Sequence, residues 1–264
     1  MLEIYRLSKT FSKGTVNEKR AITDVSITFN DGDFVTVIGG NGAGKSTLLN
    51  LISGKIDTDS GSIALDGVEI SRLPEHKRAP MLGRVFQDPM MGTAADMMIE
   101  ENMALAYRRG KSRGLRWGIG KKEREFYREH LNKLGLGLED RLTTKVGLLS
   151  GGQRQALTLL MATMEQPKLL LLDEHTAALD PKTALKVLEL SDLIIREQSL
   201  TAIMVTHNTK DAITYGNRLI MMHEGRIILD VSGEEKKQLT VENLLKKFSE
   251  VSGDTFASDK ALLA

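Results

Sequence analysis

Cysteine is absent from the 264 residues, which excludes a disulfide framework and a thiolate metal site. An excess of one charge is absent too. The 36 basic side chains stand against 35 acidic ones, leaving almost no net field to attract nucleic acid, so no nucleic-acid partner is implied. No apolar run approaches the ~18 residues needed to span a bilayer. The longest candidates, such as Leu169 to Leu172, have the length of a buried strand. The opening Met1-Leu2-Glu3-Ile4-Tyr5 lacks the basic-then-apolar order of a signal peptide. These absences point to the cytosol and to membrane work only through a partner. What is present is ordinary for a soluble globular chain: 41% apolar and 27% charged residues, with length enough for a sizeable core and no internal repeat.

Leu2 to Leu7, Ile22 to Phe29 and Phe34 to Ile38 alternate or run apolar with β-branched content and read as strands. Asn30-Asp31-Gly32-Asp33 between the last two reads as a hairpin turn. A helical pattern through Leu48, Leu49 and Ile52 ends near Ser53-Gly54, and short strands follow at Ser62 to Leu65 and Arg84 to Phe86. From Asp96 to about Gln166 the pattern is mostly helical, broken by Gly110, Gly114, Gly118 and Gly120. A strand at Lys168 to Asp173, a helix at Pro181 to Arg196 and strands at Ala202 to Thr206, Arg218 to Met222 and Arg226 to Val231 complete the chain. The expected fold is an α/β core with an all-helical insert at about 88–166, residues 1–250 forming one domain and 251–264 a loosely held polar tail.

Gly39-Gly40-Asn41-Gly42-Ala43-Gly44-Lys45-Ser46 matches G-x-x-x-x-G-K-[ST] after an expected strand and before an expected helix. The glycines let backbone N–H groups turn toward a phosphate, and the helix N-terminus adds its dipole. Lys45 would reach the outer phosphates, Ser46 would bind Mg²⁺, and Thr47 would add a hydroxyl near the inner phosphate. The apolar strand ending in Asp173-Glu174 delivers two carboxylates where α/β sheets bind ligands. Asp173 would hold Mg²⁺ through water and Glu174 would polarise an attacking water. Leu149-Ser150-Gly151-Gly152-Gln153-Arg154 precedes an apolar helix, so Ser150 is either a plain helix cap or part of an anion site made with the first-turn amides.

In this order, phosphate loop, serine-glycine-glycine turn, acidic strand end, the chain resembles the ATP-binding cassette ATPases over roughly residues 2–232. The resemblance implies a P-loop NTPase (RecA-like) core with an N-terminal antiparallel β subdomain and an inserted α-helical subdomain. It implies that Ser150, Gly151, Gly152 and Gln153 cover the γ-phosphate of ATP bound to a second copy, giving a head-to-tail homodimer with two buried nucleotides. Gln87 then matches the glutamine that joins Mg²⁺ and water to the insert, and His207 the histidine that contacts the γ-phosphate. Asp180 matches the segment by which the two subunits touch, with a bland reading as the cap of the helix at Pro181. Phe11 stands where the family stacks an aromatic on adenine, the other reading being a buried core residue. Gly40, Ala177 and His175 depart from the residues frequent at their positions without removing a catalytic group, and His175 lacks companions at metal-ligand spacing.

The resemblance implies an importer-type subunit on the cytoplasmic side of a cell membrane, bound to a separately encoded permease and, through it, a solute-binding protein. Amino acids or related small organic solutes are the expected cargo. An exporter subunit and a soluble non-transport ATPase of the same superfamily are the rival expectations. Met90, Met91, Met97, Met98 and Met103 form either a socket for a permease helix or filler inside the helical insert. Residues 108–124 carry eight basic groups against Glu123, with Trp117 among them, and read either as a solvated loop or as a contact with anionic lipid head groups or the permease surface.

Overall fold

Strands form where apolar residues alternate or run on, and helices where they recur every three to four positions. The computed structural model describes residues 1–111 and 118–252; Arg113, Gly114, Arg116, Trp117 and the tail beyond Ser252 lie outside them. The elements are β1 (Leu2–Phe11), β2 (Lys19–Phe29), β3 (Phe34–Ile38), α1 (Lys45–Ser53), β4 (Ser60–Leu65), β5 (Val68–Glu69), α2 (Glu75–Arg78), β6 (Leu82–Val85) and α3 (Ile99–Tyr107). They continue with α4 (Lys121–Asn132), α5 (Gly151–Thr163), β7 (Leu169–Asp173), α6 (Pro181–Glu197), β8 (Ala202–Val205) and α7 (Thr209–Thr214). The last are β9 (Arg218–His223), β10 (Arg226–Ser232), α8 (Gly233–Lys237) and α9 (Val241–Ser252). The chain divides into two units, residues 1–78 with those from 200 onward, and residues 79–199.

In the first unit, β2-β1-β4-β5 form an antiparallel sheet, and β10-β9-β3-β8 run in that order with β3 parallel to both β8 and β9. Every residue of β3 is buried, which is why its sequence runs apolar rather than alternating. Its one polar side chain, Thr36, donates its hydroxyl to Ala212 O at 2.8 Å. Lys236 on α8 is buried beneath this strand; its ammonium donates to Tyr215 O and to Gly216 O, and burial pushes its pKa down to about 8. Asn30 to Asp33 make a tight turn, Asp33 N donating to Asn30 O at 3.1 Å, but the turn is not a hairpin. It passes the chain from β2, paired with β1, to β3, paired with β8 and β9. Turn chemistry fixes the local reversal; the two-sided burial of β3 decides its partners.

Helix α1 closes at Gly54, which takes the left-handed conformation at φ 78°. Arg78, 1% exposed, reaches this end and donates through Nη1 to Leu51 O at 2.7 Å and Ile52 O at 2.9 Å. Its Nη2 donates to Ser71 O at 2.9 Å and its Nε to Leu73 O at 2.7 Å. Four carbonyls are thus satisfied by one guanidinium, whose positive charge also suits the C-terminal end of the helix dipole. In the second unit β6 and β7 are parallel, with Val85 opposite Leu172, and α3, α4 and α5 enclose a core that includes Ile99, Met103, Tyr127, Leu131 and Leu157.

Arg78→Met should lower unfolding stability by about 3 kcal/mol or more, because it leaves buried carbonyls unsatisfied rather than merely removing a contact. Urea unfolding of the variant and parent measures this; equal midpoints and slopes would dispose of the capping role.

Candidate functional site

The phosphate loop stands between β3 and α1 as expected, and its geometry requires glycine. Gly39 has φ 150°, and a Cβ there would lie 2.2 Å from the Met222 carbonyl oxygen; at Gly44, with φ 104°, it would lie 2.5 Å from Ala21 O. Such approaches leave no room for a side chain and bring the loop down onto neighbouring backbone. Lys45, buried at the start of α1, donates to Gly39 O at 2.7 Å and Gly40 O at 3.1 Å, so its ammonium is folded over the loop. Asn41, Gly42, Ala43, Ser46 and Thr47 complete the turn and the first helical residues. A loop that curls this tightly at the N-terminus of a helix suits phosphate oxygens, and the hydroxyl of Ser46 is of the type that binds Mg²⁺.

Phe11 ends β1 and is 39% exposed, which removes the core reading; the Lys9 ammonium lies over its ring, 5.8 Å from the centroid. The cross-strand partner of Phe11 is Lys19, whose ammonium lies 2.9 Å from where a Gly42 Cβ would stand. Lys19 therefore links the aromatic to the phosphate loop, a role its place in the sequence did not suggest. His207 follows β8 and is exposed at the head of α7. Asn208 caps that helix, accepting from Lys210 N at 2.9 Å and Asp211 N at 3.2 Å. Burial raises the pKa of Asp211, and the charge of nearby His207 works against that rise.

The second unit carries the carboxylates. Asp173 is the last residue of β7, and Glu174 leaves the strand at φ 45°, a left-handed conformation that costs a non-glycine residue roughly 1–3 kcal/mol. Parallel pairing sets Val85 beside Leu172, so Gln87 emerges, exposed, just past the end of β6 next to the carboxylate end of β7. The segment carrying Gln87 is tied to α5, because Gln155 donates from Nε2 to Phe86 O at 2.9 Å. Gln155 is fully buried and was not singled out from the sequence.

Ser150 is the N-cap of α5: Gln153 N donates to its hydroxyl oxygen at 3.3 Å, and Ser150 N donates to Gln153 Oε1 at 3.2 Å. The cap uses the oxygen as an acceptor and leaves the exposed hydroxyl proton for an anion. Gly152 is glycine for a packing reason, since a Cβ would lie 2.0 Å from Thr183 Cγ2 on α6. Thr183 N in turn donates to Asp180 Oδ1 at 3.1 Å, so the serine-glycine-glycine turn and Asp180 meet at one contact. Both the capping and the binding readings of Ser150 and Asp180 are thus compatible with one geometry.

His175 is 1% exposed and lies 3.0 Å from Ser191 Oγ. Because Ser191 donates its own proton to Val187 O at 2.7 Å, the imidazole must donate through Nε2, which fixes the neutral tautomer. Burial pushes its pKa down to about 4. The ring thereby anchors the residue after Glu174 to α6. No cluster of His, Cys, Asp and Glu able to hold a metal exists among the described residues; the expected Mg²⁺ ligands are Ser46 in the first unit and Gln87 and Asp173 in the second.

Since the folded pKa lies below the ordinary value of about 6.5, the contribution of neutral His175 is complete above that value and is lost as pH falls toward 4. The loss is roughly 3 kcal/mol, and His175→Gln should flatten the acid limb of a stability–pH curve by that amount. Parallel curves for the two proteins between pH 7 and pH 4 would contradict it.

A protein-family model described as ABC transporter matches residues 22–177. The chain is 50% identical over 249 residues to the tyrosine transport ATP-binding protein of Clostridioides difficile, covering 94% of this chain and 98% of that one. It is 34% identical over 236 residues to the spermidine/putrescine import ATP-binding protein PotA of Haemophilus influenzae, covering 89% of this chain and spanning 59% of that protein. Among solved structures it is similar to the dimeric ATP-binding cassette MJ0796 in a post-hydrolysis state bound to ADP and Pi. The TM-score is 0.74 and the identity 28%, covering 88% of this chain and 98% of that one.

Proposed function

Because the chain belongs to the ABC transporter family, we propose that it is the ATP-hydrolysing subunit of an amino-acid importer. The observation that carries this reading is the glycine cradle of residues 39–46 at the head of α1, with Lys45 folded over it. In the proposed site Phe11 stacks on adenine, the amides of Asn41, Gly42, Ala43 and Gly44 bind the phosphates with Lys45, and Thr47 reaches the inner phosphate. Ser46, Gln87 and Asp173 would hold Mg²⁺, which would supply compensating charge to the phosphates. Glu174 accepts a proton from the attacking water while His207 orients that water against the γ-phosphate.

Ser150, Gly151, Gly152 and Gln153 serve the nucleotide of a second copy, and Asp180 sits where the copies meet. The cap uses the Ser150 oxygen as an acceptor, so its exposed hydroxyl can still donate to an anion, which is compatible with this role. A head-to-tail pair buries both nucleotides and excludes water from the reaction. No helix among the described residues is long and apolar enough to cross a membrane. Coupling in this reading runs through permease subunits. The permease surface includes Met90, Met91 and Met98, which are exposed on the segment after Gln87, whereas Met103 is buried in the helical core. Asn102 holds that segment, accepting from Ala94 N at 2.8 Å and donating to Met98 O at 3.0 Å.

The 50% identical relative is named for tyrosine transport, which favours an aromatic amino acid as the cargo, delivered by a solute-binding protein on the far side of the membrane. Glu174→Gln should abolish turnover yet retain nucleotide, and the tagged variant pulled from detergent-solubilised membranes with ATP should bring down a polytopic permease. Only soluble partners in that sample would defeat the transporter assignment. Ser150→Arg should reduce ATPase activity by at least ~10²-fold through the loss of γ-phosphate contact in the pair, while leaving ATP affinity of the single chain unchanged. Retained turnover would instead show that hydrolysis does not need the second copy.

A further inference from the structure

Arg84 lies on β6 opposite Leu171, yet its guanidinium runs along the face of the sheet to the end of β7. Its Nη2 donates to Asp173 Oδ2 at 3.0 Å. Both side chains are largely withdrawn from solvent, at 11% and 16% exposure, and the guanidinium sits 4.7 Å above the ring of Phe86. The ring clamps the cation from one side while the carboxylate takes it from another. Partial burial matters here, because an exposed pair contributes little whereas a desolvated one is weakly screened by water.

The oxygen that accepts from Arg84 belongs to the carboxylate assigned above to Mg²⁺. A divalent cation and a guanidinium cannot both take full possession of that carboxylate without facing each other as like charges. We propose that Arg84 is a built-in counterion of Asp173 that competes with the metal and so sets how much Mg²⁺ the site requires. It compensates the carboxylate in the nucleotide-free chain, and the carboxylate is withdrawn from it, in part or in full, when metal and nucleotide arrive. Arg84 is a positioning residue in this scheme, acting through Asp173 and not on the nucleotide. It stands three residues before Gln87 on the same segment, so the counterion and the proposed metal-binding glutamine move together. The inference rests on the metal role proposed for Asp173.

The test is a titration of Mn²⁺ into the full chain with the non-hydrolysable analogue AMP-PNP, with bound metal read by electron paramagnetic resonance. Arg84→Met and Arg84→Gln should each tighten the apparent Mn²⁺ affinity about tenfold, the worth of one charge-assisted hydrogen bond, while Arg84→Lys stays near the parent. Thermal unfolding checks that each variant is folded, and if the methionine variant is not, the glutamine and lysine variants carry the comparison. Unchanged affinity in the folded variants, or weaker affinity, overturns the competition. Asp173→Asn separates the two levels of the argument. If it weakens Mn²⁺ binding while the Arg84 variants leave it unchanged, the metal role stands and the counterion fails. If Asp173→Asn changes nothing, both are refuted.

Discussion

The close approach of the phosphate loop to the backbone around it is the constraint from which the rest of the first unit follows. A loop that offers its amides to an anion must turn its own carbonyls elsewhere, and here two of them are taken by Lys45. The neighbouring carbonyls of Met222 and Ala21 leave no space for a Cβ at Gly39 or Gly44. Such a loop stays in place only if its flanks do not yield. On one side β3 is buried on every residue between β8 and β9. On the other, α1 is stopped by Gly54 and its last carbonyls are held by Arg78. The cradle is therefore held by the burial of the strand before it and by a buried arginine after it.

A second economy runs through the other unit, where the same atoms serve structure and chemistry. Ser150 and Asp180 are ordinary helix caps, and each is also a candidate contact across a pair of chains. Capping takes acceptor capacity only, so a serine cap keeps its hydroxyl proton and an exposed aspartate keeps its charge. Hydrogen bonding to Thr183 lowers the pKa of Asp180, so capping also secures the ionised form. The contact between Gly152 and Thr183 makes one body of the two caps, so displacement of either should be felt by both.

Much of this was legible in the chain because it depends on local rules. The loop at 39–46, the strand end at Asp173 and the cap at Ser150 are short patterns whose chemistry fixes their spacing. The turn at Asn30 to Asp33 was legible as a turn and illegible as a connection, because pairing is decided by burial far away in the sequence. The partners that hold the site together left no such trace. Arg78 reaches back 27 residues to Leu51, Gln155 reaches back 69 to Phe86, and Arg84 reaches forward 89 to Asp173. A long polar side chain shows no periodicity when its task is one buried hydrogen bond, and nothing in its immediate sequence distinguishes it from a solvated neighbour. His175 is similar: lack of nearby metal ligands ruled out one role, but only the fold supplies Ser191.

The basic stretch at 108–124 shows how a count of charges misleads when the partners lie elsewhere in the chain. Arg108 pairs with Glu123 at 2.8 Å, Arg124 with Glu100 at 2.6 Å and Lys111 with Glu165 at 2.6 Å. Lys111 also lies 3.9 Å over the ring of Tyr107, and Arg109 donates to Ala162 O at 3.3 Å with its pKa lowered by burial. These four cations are occupied in packing the helices of the second unit, since two of the three acids come from outside the stretch. Arg113, Arg116 and Trp117 lie outside the described residues. Lys121 and Lys122 remain as exposed charges, and they stand at the N-terminus of α4, where the helix dipole disfavours positive charge. A cation that packing does not use, placed where the dipole opposes it, is better compensated by an anion from outside the unit. On this ground the lipid or permease reading of the stretch narrows from eight basic groups to these two lysines among the described residues.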